Sequence, residues 1–289
     1  MCKVTRTEDQ NLELFDGAFW ADAWARARQK SSLYREGYDE SSWNAFWNQY
    51  AGTYLKVNQA LEEHLRTLVS SWREEGLVGP SSRVLDIGCG PGAYALPLAR
   101  EVREVVALDT APQMLETLAQ AARQQELSNV VPFQGHWEKV NFDREFDLVL
   151  AAISPAIYNY ETLMKMNEAS RGSCILISYR HYHAPLREIL WQKLMKEKLI
   201  SRAFEITYPF NILYQEGFNP NLRFMEQDYC YTEKTAVIRD NFRAYFRIFG
   251  KDENSVDRTL DEIFNGSAQD GEITEKVSSC LAVMWWQAR

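Results

Sequence analysis

Eleven residues constrain this chain more than any others: Arg83-Val84-Leu85-Asp86-Ile87-Gly88-Cys89-Gly90-Pro91-Gly92-Ala93. Residues 84–87 suit a buried strand and residues 94–102 the helix after it, with glycines at 88, 90 and 92 at the junction. Glycine reaches backbone torsions closed to other residues and, lacking a Cβ, lets a ligand lie against the main chain. The turn is therefore a ligand floor. Its spacing also satisfies the loose dinucleotide pattern, with Ala93 as the last member. Asp86 argues against that ligand, because a carboxylate two residues before the first glycine repels a pyrophosphate. A ligand carrying an ammonium or a sulfonium finds an attractive partner there.

The stretch resembles motif I of the class I S-adenosylmethionine-dependent methyltransferases: an apolar strand, Asp or Glu, one residue, then Gly-x-Gly-x-Gly. Residues 82–158, about a quarter of the chain, follow that family's order. A second strand, 104–108, ends at Asp109, placed about 20 residues past the glycines to accept both ribose hydroxyls. Thr110, Ala111 and Pro112 lead into a helix with Met114 and Leu115, as in the family's second motif. A third strand, 130–135, is followed by His136 and Trp137, where the family usually has Gly-Asp and a small or apolar residue beside the adenine. Trp137 reads equally as a purine wall or a core aromatic, and His136 as a ligand contact or a solvated loop residue. A fourth strand, 146–152, resembles motif IV, whose carboxyl end lies beside the methyl group.

The resemblance implies S-adenosyl-L-methionine as cofactor, held by Asp86, Gly88, Cys89, Gly90, Gly92, Asp109, Thr110, Met114, His136, Trp137 and Ala151. It also implies an α/β fold, a three-layer sandwich around a mostly parallel seven-stranded sheet with the last strand antiparallel. Residues 1–76 form a helical N-terminal extension, and residues 77–289 the core, with a helical insertion at 233–264 between the last two strands. In the extension, Trp43, Phe46, Trp47, Tyr50 and Tyr54 recur at spacings of three and four and share one helical face. That stripe docks the extension on the core, serves as a lid over the cofactor, or both.

The acceptor end is less determined. Ser154-Pro155-Ala156-Ile157-Tyr158 only partly resembles the Asn/Asp-Pro-Pro-Tyr/Phe signature of enzymes that methylate amide or amino nitrogens. Tyr158 is an acceptor-pocket candidate. A fifth strand, 173–179, runs into Arg180-His181-Tyr182-His183, where His181 or His183 suits a general base, or a polar loop closing the strand. His181 and Tyr158 are the catalytic candidates; no third ligand at a recognisable spacing supports a metal. Residues 184–217 read as a basic amphipathic helix. The aromatics Phe242, Tyr245, Phe246 and Phe249 in the insertion point to a partly apolar substrate.

A net charge of -8 and a pI near 5.2 offer no cationic groove, which disfavours nucleic acid as a partner. Cys2, Cys89, Cys174, Cys230 and Cys280 are odd in number and contain no C-x-x-C pair, so reduced thiols of a cytoplasmic protein are expected. Residues 1–10 lack the apolar stretch of a signal peptide, and no apolar run approaches a membrane span. The expected activity is methyl transfer to a small, partly apolar molecule. The rivals are a protein or nucleic-acid methyltransferase using the 154–158 loop, a dinucleotide oxidoreductase, and a non-catalytic S-adenosylmethionine-binding protein. The acceptor, its methylated atom and the oligomeric state are not written in the sequence.

Overall fold

The computed structural model describes residues 16–34, 39–201, 204–264 and 271–289. Cys2 and the polar first ten residues lie outside them. Three helices come first: α1 (Gly17–Gln29), α2 (Glu40–Ala60) and α3 (Glu62–Glu74). Asp16 and Asp39 cap the first two, each accepting from backbone N–H groups of the opening turn.

The core then alternates β1 (Arg83–Ile87), α4 (Ala95–Ala99), β2 (Glu104–Asp109), α5 (Pro112–Gln124), β3 (Val130–Gln134), β4 (Phe146–Ala152), α6 (Tyr160–Ala169) and β5 (Ser170–His183). Helices α7 (Pro185–Met195) and α8 (Thr207–Gln215) follow, then β6 (Asn221–Lys234), α9 (Thr235–Arg247), α10 (Glu253–Phe264) and β7 (Glu272–Gln287). The sheet order is β3-β2-β1-β4-β5-β7-β6, with β7 antiparallel to both neighbours and the remaining pairings parallel. This is the expected sandwich, with α9 and α10 inserted between the last two strands.

Strand alternation divides the core. Val105 and Ala107 of β2 pack with α3, α4 and α5, whereas Val106 and Leu108 pack with Trp24 of α1 and with α6 and α8. A third cluster joins the two additions to the core. Phe46 of α2 meets Leu190 and Trp191 of α7, Tyr245 and Phe246 of α9, and Leu260 of α10. The predicted stripe is a ladder of rings, with Phe46 and Tyr50 stacked at 5.2 Å and Trp43 edge-on to Tyr245 at 6.1 Å.

The helical insertion is a pair, α9 and α10, turning at Gly250 with φ +71°. Two expectations need correction. The segment 184–217 is two helices: Lys196 ends α7 in the left-handed conformation, at φ +56°. The fifth strand does not end at 179: β5 runs through His183 because β7 continues to pair with it, past an irregularity between Tyr179 and His181. His181 and His183 therefore stand on a strand and not in a loop. No helix among the described residues is long and apolar enough to cross a membrane.

Candidate active site

The parallel strands end at a cavity of about 1050 Å³, roofed by α2 and floored by the glycine turn. That volume lies at the top of the ~300–1,000 Å³ range of small-molecule sites and leaves room for two ligands together. Gly88 has φ +69°, and a Cβ there would lie 2.1 Å from Ser154 Oγ. Gly90 has φ +53° and lies against the Tyr54 ring, 3.5 Å from where its Cβ would be. Both glycines and Cys89 line the cavity. Gly92 does not: a Cβ there would meet Leu118 of α5 at 2.4 Å, so the third glycine serves helix packing.

Asp86 is buried at the end of β1. One of its oxygens accepts the Ala95 N–H, and Oδ2 has no hydrogen-bond partner. Burial, reinforced by the negative Asp109, pushes its carboxyl up to about 7. Asp109 ends β2, where Oδ2 accepts the Gly90 N–H and Oδ1 the Ala111 N–H, both at 2.9 Å. Burial raises its pKa, and these N–H groups oppose the rise. Each oxygen keeps a lone pair for a ligand hydroxyl.

Helix α2 is tied across this site. Thr110 Oγ1 donates to Asn44 Oδ1 at 2.9 Å, the Gln113 N–H donates to Asn48 Oδ1 at 3.0 Å, and Met114 packs on Ala51. The extension thus covers the cofactor side of the cavity and docks on the core through the same face.

The remaining candidates divide. His136 lines the cavity, and so does Trp137, a buried core indole whose Nε1–H donates to Thr162 O at 3.0 Å. Ala151 does not reach it. That residue points into the core among Leu85, Val149 and Met166, and Ala152 lines the cavity instead, because side chains alternate along β4. Tyr158 lines the cavity with its hydroxyl bonded to Glu138 and the Arg28 guanidinium 3.8 Å over its ring. Burial and Glu138 hold this phenol up to about 12, which keeps it protonated at neutral pH. His181 stands at the cavity margin, 51% exposed, with Nε2 3.6 Å from Glu226 Oε2.

Several lining residues escaped the sequence reading. Tyr179 and Tyr182 of β5 and Tyr229 and Tyr231 of β6 join Tyr50 and Tyr54 around the cavity. The period-two placement of Tyr229 and Tyr231 on one strand was a readable signal; their meeting with α2 was not. Burial keeps Tyr54 and Tyr245 up at about 12 and raises Tyr50, Tyr179, Tyr229 and Tyr231 as well. These phenols stay protonated at neutral pH, able to donate a hydrogen bond and unable to take a proton. Ile153, just past β4, sits at φ +52°, a strained conformation for a β-branched residue, beside the glycine floor. His181, Cys280 and Glu226 also stand side by side on β5, β7 and β6, their ligand atoms within 4.8 Å of one another. That row unites residues up to 99 positions apart, from 181 to 280, and no local spacing announces it.

Residues 84–171 match the family model of a methyltransferase domain. That stretch of the chain carries a methyltransferase domain. An uncharacterised protein of Haemophilus influenzae is 33% identical over 148 residues, which is 50% of this chain and 54% of that one. A 23S rRNA (uracil(1939)-C(5))-methyltransferase RlmD of Vibrio cholerae is 31% identical over 86 residues, 30% of this chain and 19% of its own. The matched stretches thus span about half or less of these relatives. Among solved structures, a SAM-dependent methyltransferase from Thiobacillus denitrificans in complex with S-adenosyl-L-homocysteine aligns over 78% of this chain and 91% of its own, at 15% identity and a TM-score of 0.49.

Proposed function

We propose that this protein is an S-adenosylmethionine-dependent methyltransferase acting on a small, partly apolar molecule inside the cavity. The observation that carries the reading is the buried Asp86 Oδ2, a carboxylate oxygen without a partner beside a glycine cradle. It suits a cationic ligand and repels a pyrophosphate. In this reading Asp86 faces the ammonium end of the cofactor, Asp109 the ribose, and Gly88, Cys89 and Gly90 the main-chain floor. Thr110, Met114, His136 and Trp137 lie where the adenosine end runs.

When bound, the cofactor supplies a methyl group already activated on a sulfonium. What remains for the chain is to hold an acceptor in line, exclude water and deal with any proton the acceptor releases. Helix α2 supplies the exclusion, through Tyr54 against Gly90 and the Asn44 and Asn48 ties. The protonated phenols orient an acceptor by donating hydrogen bonds. His181, at the margin, is the candidate base, because the Tyr158 hydroxyl is held protonated by Glu138.

The relatives named for RNA acceptors match only a minor part of this chain, 30% of it in the Vibrio cholerae protein. The net charge of -8 and the roofed cavity favour a small acceptor. The test supplies cofactor with a tritium-labelled methyl group to a cell extract separated into small molecules, RNA and protein. Label entering the small-molecule fraction is expected; label confined to RNA or protein contradicts the reading.

A further inference from the structure

The cavity continues past the tyrosines to Arg187, in the first turn of α7. Its Nε is sealed from solvent and has no hydrogen-bond partner. Among the described residues the guanidinium forms no hydrogen bond and no ion pair; its Cζ lies over the Tyr182 ring, 4.8 Å from the centroid. A ring face offers attraction to a cation but satisfies none of its directional donors.

Two carboxylates that line the same cavity or neighbour Arg187 in sequence are engaged elsewhere. Glu188 holds His183 Nδ1 at 2.9 Å and the Ala184 N–H at 3.3 Å. Glu275 of β7 accepts from the Tyr231 hydroxyl at 2.9 Å and the Leu186 N–H at 3.0 Å. Arginine stays charged at any physiological pH, and a secluded charge without a partner is costly. A ligand anion would remove that cost and take up the free donors in bidentate fashion.

Tyr54 lies against Gly90, and Tyr50, one helical turn farther along α2, has its ring 6.0 Å from that of Tyr54. Tyr50 in turn feels the charges of both Arg187 and Glu275. The guanidinium and the glycine floor thus line one cavity whose wall between them includes Tyr54, Tyr50 and Tyr182. Glu275 beside the same phenols disfavours a dianion and leaves a monoanion as the match for one guanidinium.

We propose that Arg187 binds a carboxylate of the methyl acceptor, which makes the acceptor a small carboxylic acid with an apolar or aromatic body. This rests on the methyltransferase reading of the same cavity, and the test separates the two. Protein with and without S-adenosyl-L-homocysteine is titrated by calorimetry with phenyl-substituted carboxylates of increasing chain length, each beside its primary amide, and with phenyl phosphate. At least one carboxylate is expected to bind about tenfold or more tightly than its amide. Arg187→Met should erase that preference and leave S-adenosyl-L-homocysteine affinity unchanged.

Equal binding of acids and amides, no binding of any acid at millimolar concentration, or a preference that survives Arg187→Met would overturn the proposal. So would phenyl phosphate binding more tightly than every carboxylate. If Arg187→Met does not fold, Arg187→Gln takes its place, and the wild-type acid–amide comparison decides without either variant. Failure of S-adenosyl-L-homocysteine to bind, with the acid preference intact in the free protein, would overturn the cofactor reading alone.

Discussion

A carboxyl sealed from water at the end of β1, with one oxygen unbonded, titrates at about 7 where an exposed aspartate would titrate near 3.8. The sign matters. Because the folded-state value is raised, the ligand-free protein loses stability as pH climbs from about 4 to 7, where the unfolded chain's carboxyl ionises while the buried one keeps its proton. A cation seated against Asp86 reverses that cost, so the residue that strains the free fold is the one that rewards binding. Gly88 makes a separate demand two residues on. Its φ of +69° and the 2.1 Å gap to Ser154 Oγ leave no room for a methyl group. Gly88→Ala should destabilise the protein by about 1–3 kcal/mol, read as a lowered midpoint of urea unfolding. Ser154→Gly in the same chain should restore only part of this, because the torsional strain persists. An unchanged midpoint in the single variant would show that the turn is not held as described.

At the scale of elements, α2 joins the cofactor floor to the acceptor chamber. It reaches Thr110 and Gln113 through Asn44 and Asn48, Gly90 through Tyr54, and the inserted α9 through Trp43 and Phe46. We expect S-adenosyl-L-homocysteine to slow backbone amide exchange in α2 by about tenfold or more, since opening this roof then requires losing the ligand. Exchange that slows only at the glycine turn would show that α2 is a fixed scaffold and no lid. Sequence legibility follows the same division. Strands β1, β2 and β4 and the turn at 88–92 carry their signals within a dozen residues, and the helical period of Trp43 to Tyr54 was equally local. The extension of β5 through His183 was not, because pairing with β7, about 100 residues away, sustains it against a polar sequence. The break at Lys196 carried no glycine or proline to announce it. Trp137 could not be divided between core and ligand from sequence alone, since only its bond to Thr162 and its burial show that it does core work at the cavity's edge.

Across the whole molecule, an ordinary nucleotide-binding sheet has been closed over by two additions from opposite ends of the chain. The N-terminal α2 and the insertion α9–α10 meet in one aromatic cluster, and the space they leave is a tyrosine-lined chamber continuous with the glycine floor. The net charge of -8 and the roofed cavity are what support the proposal of a small-molecule acceptor over a polyanion. The core of this account is that the cavity binds a cationic nucleoside through Asp86. The measurement that tests it is calorimetry of S-adenosylmethionine binding at pH 8 and pH 6, in buffers of differing ionisation enthalpy, for the wild type and Asp86→Asn. The account predicts one site, affinity about tenfold weaker at the lower pH, and uptake of a proton by the buffer at pH 6 as Asp86 ionises on binding; Asp86→Asn should weaken binding by about tenfold or more and lose both effects. Binding that is indifferent to pH and to Asp86→Asn, or that is matched by NAD, would contradict it.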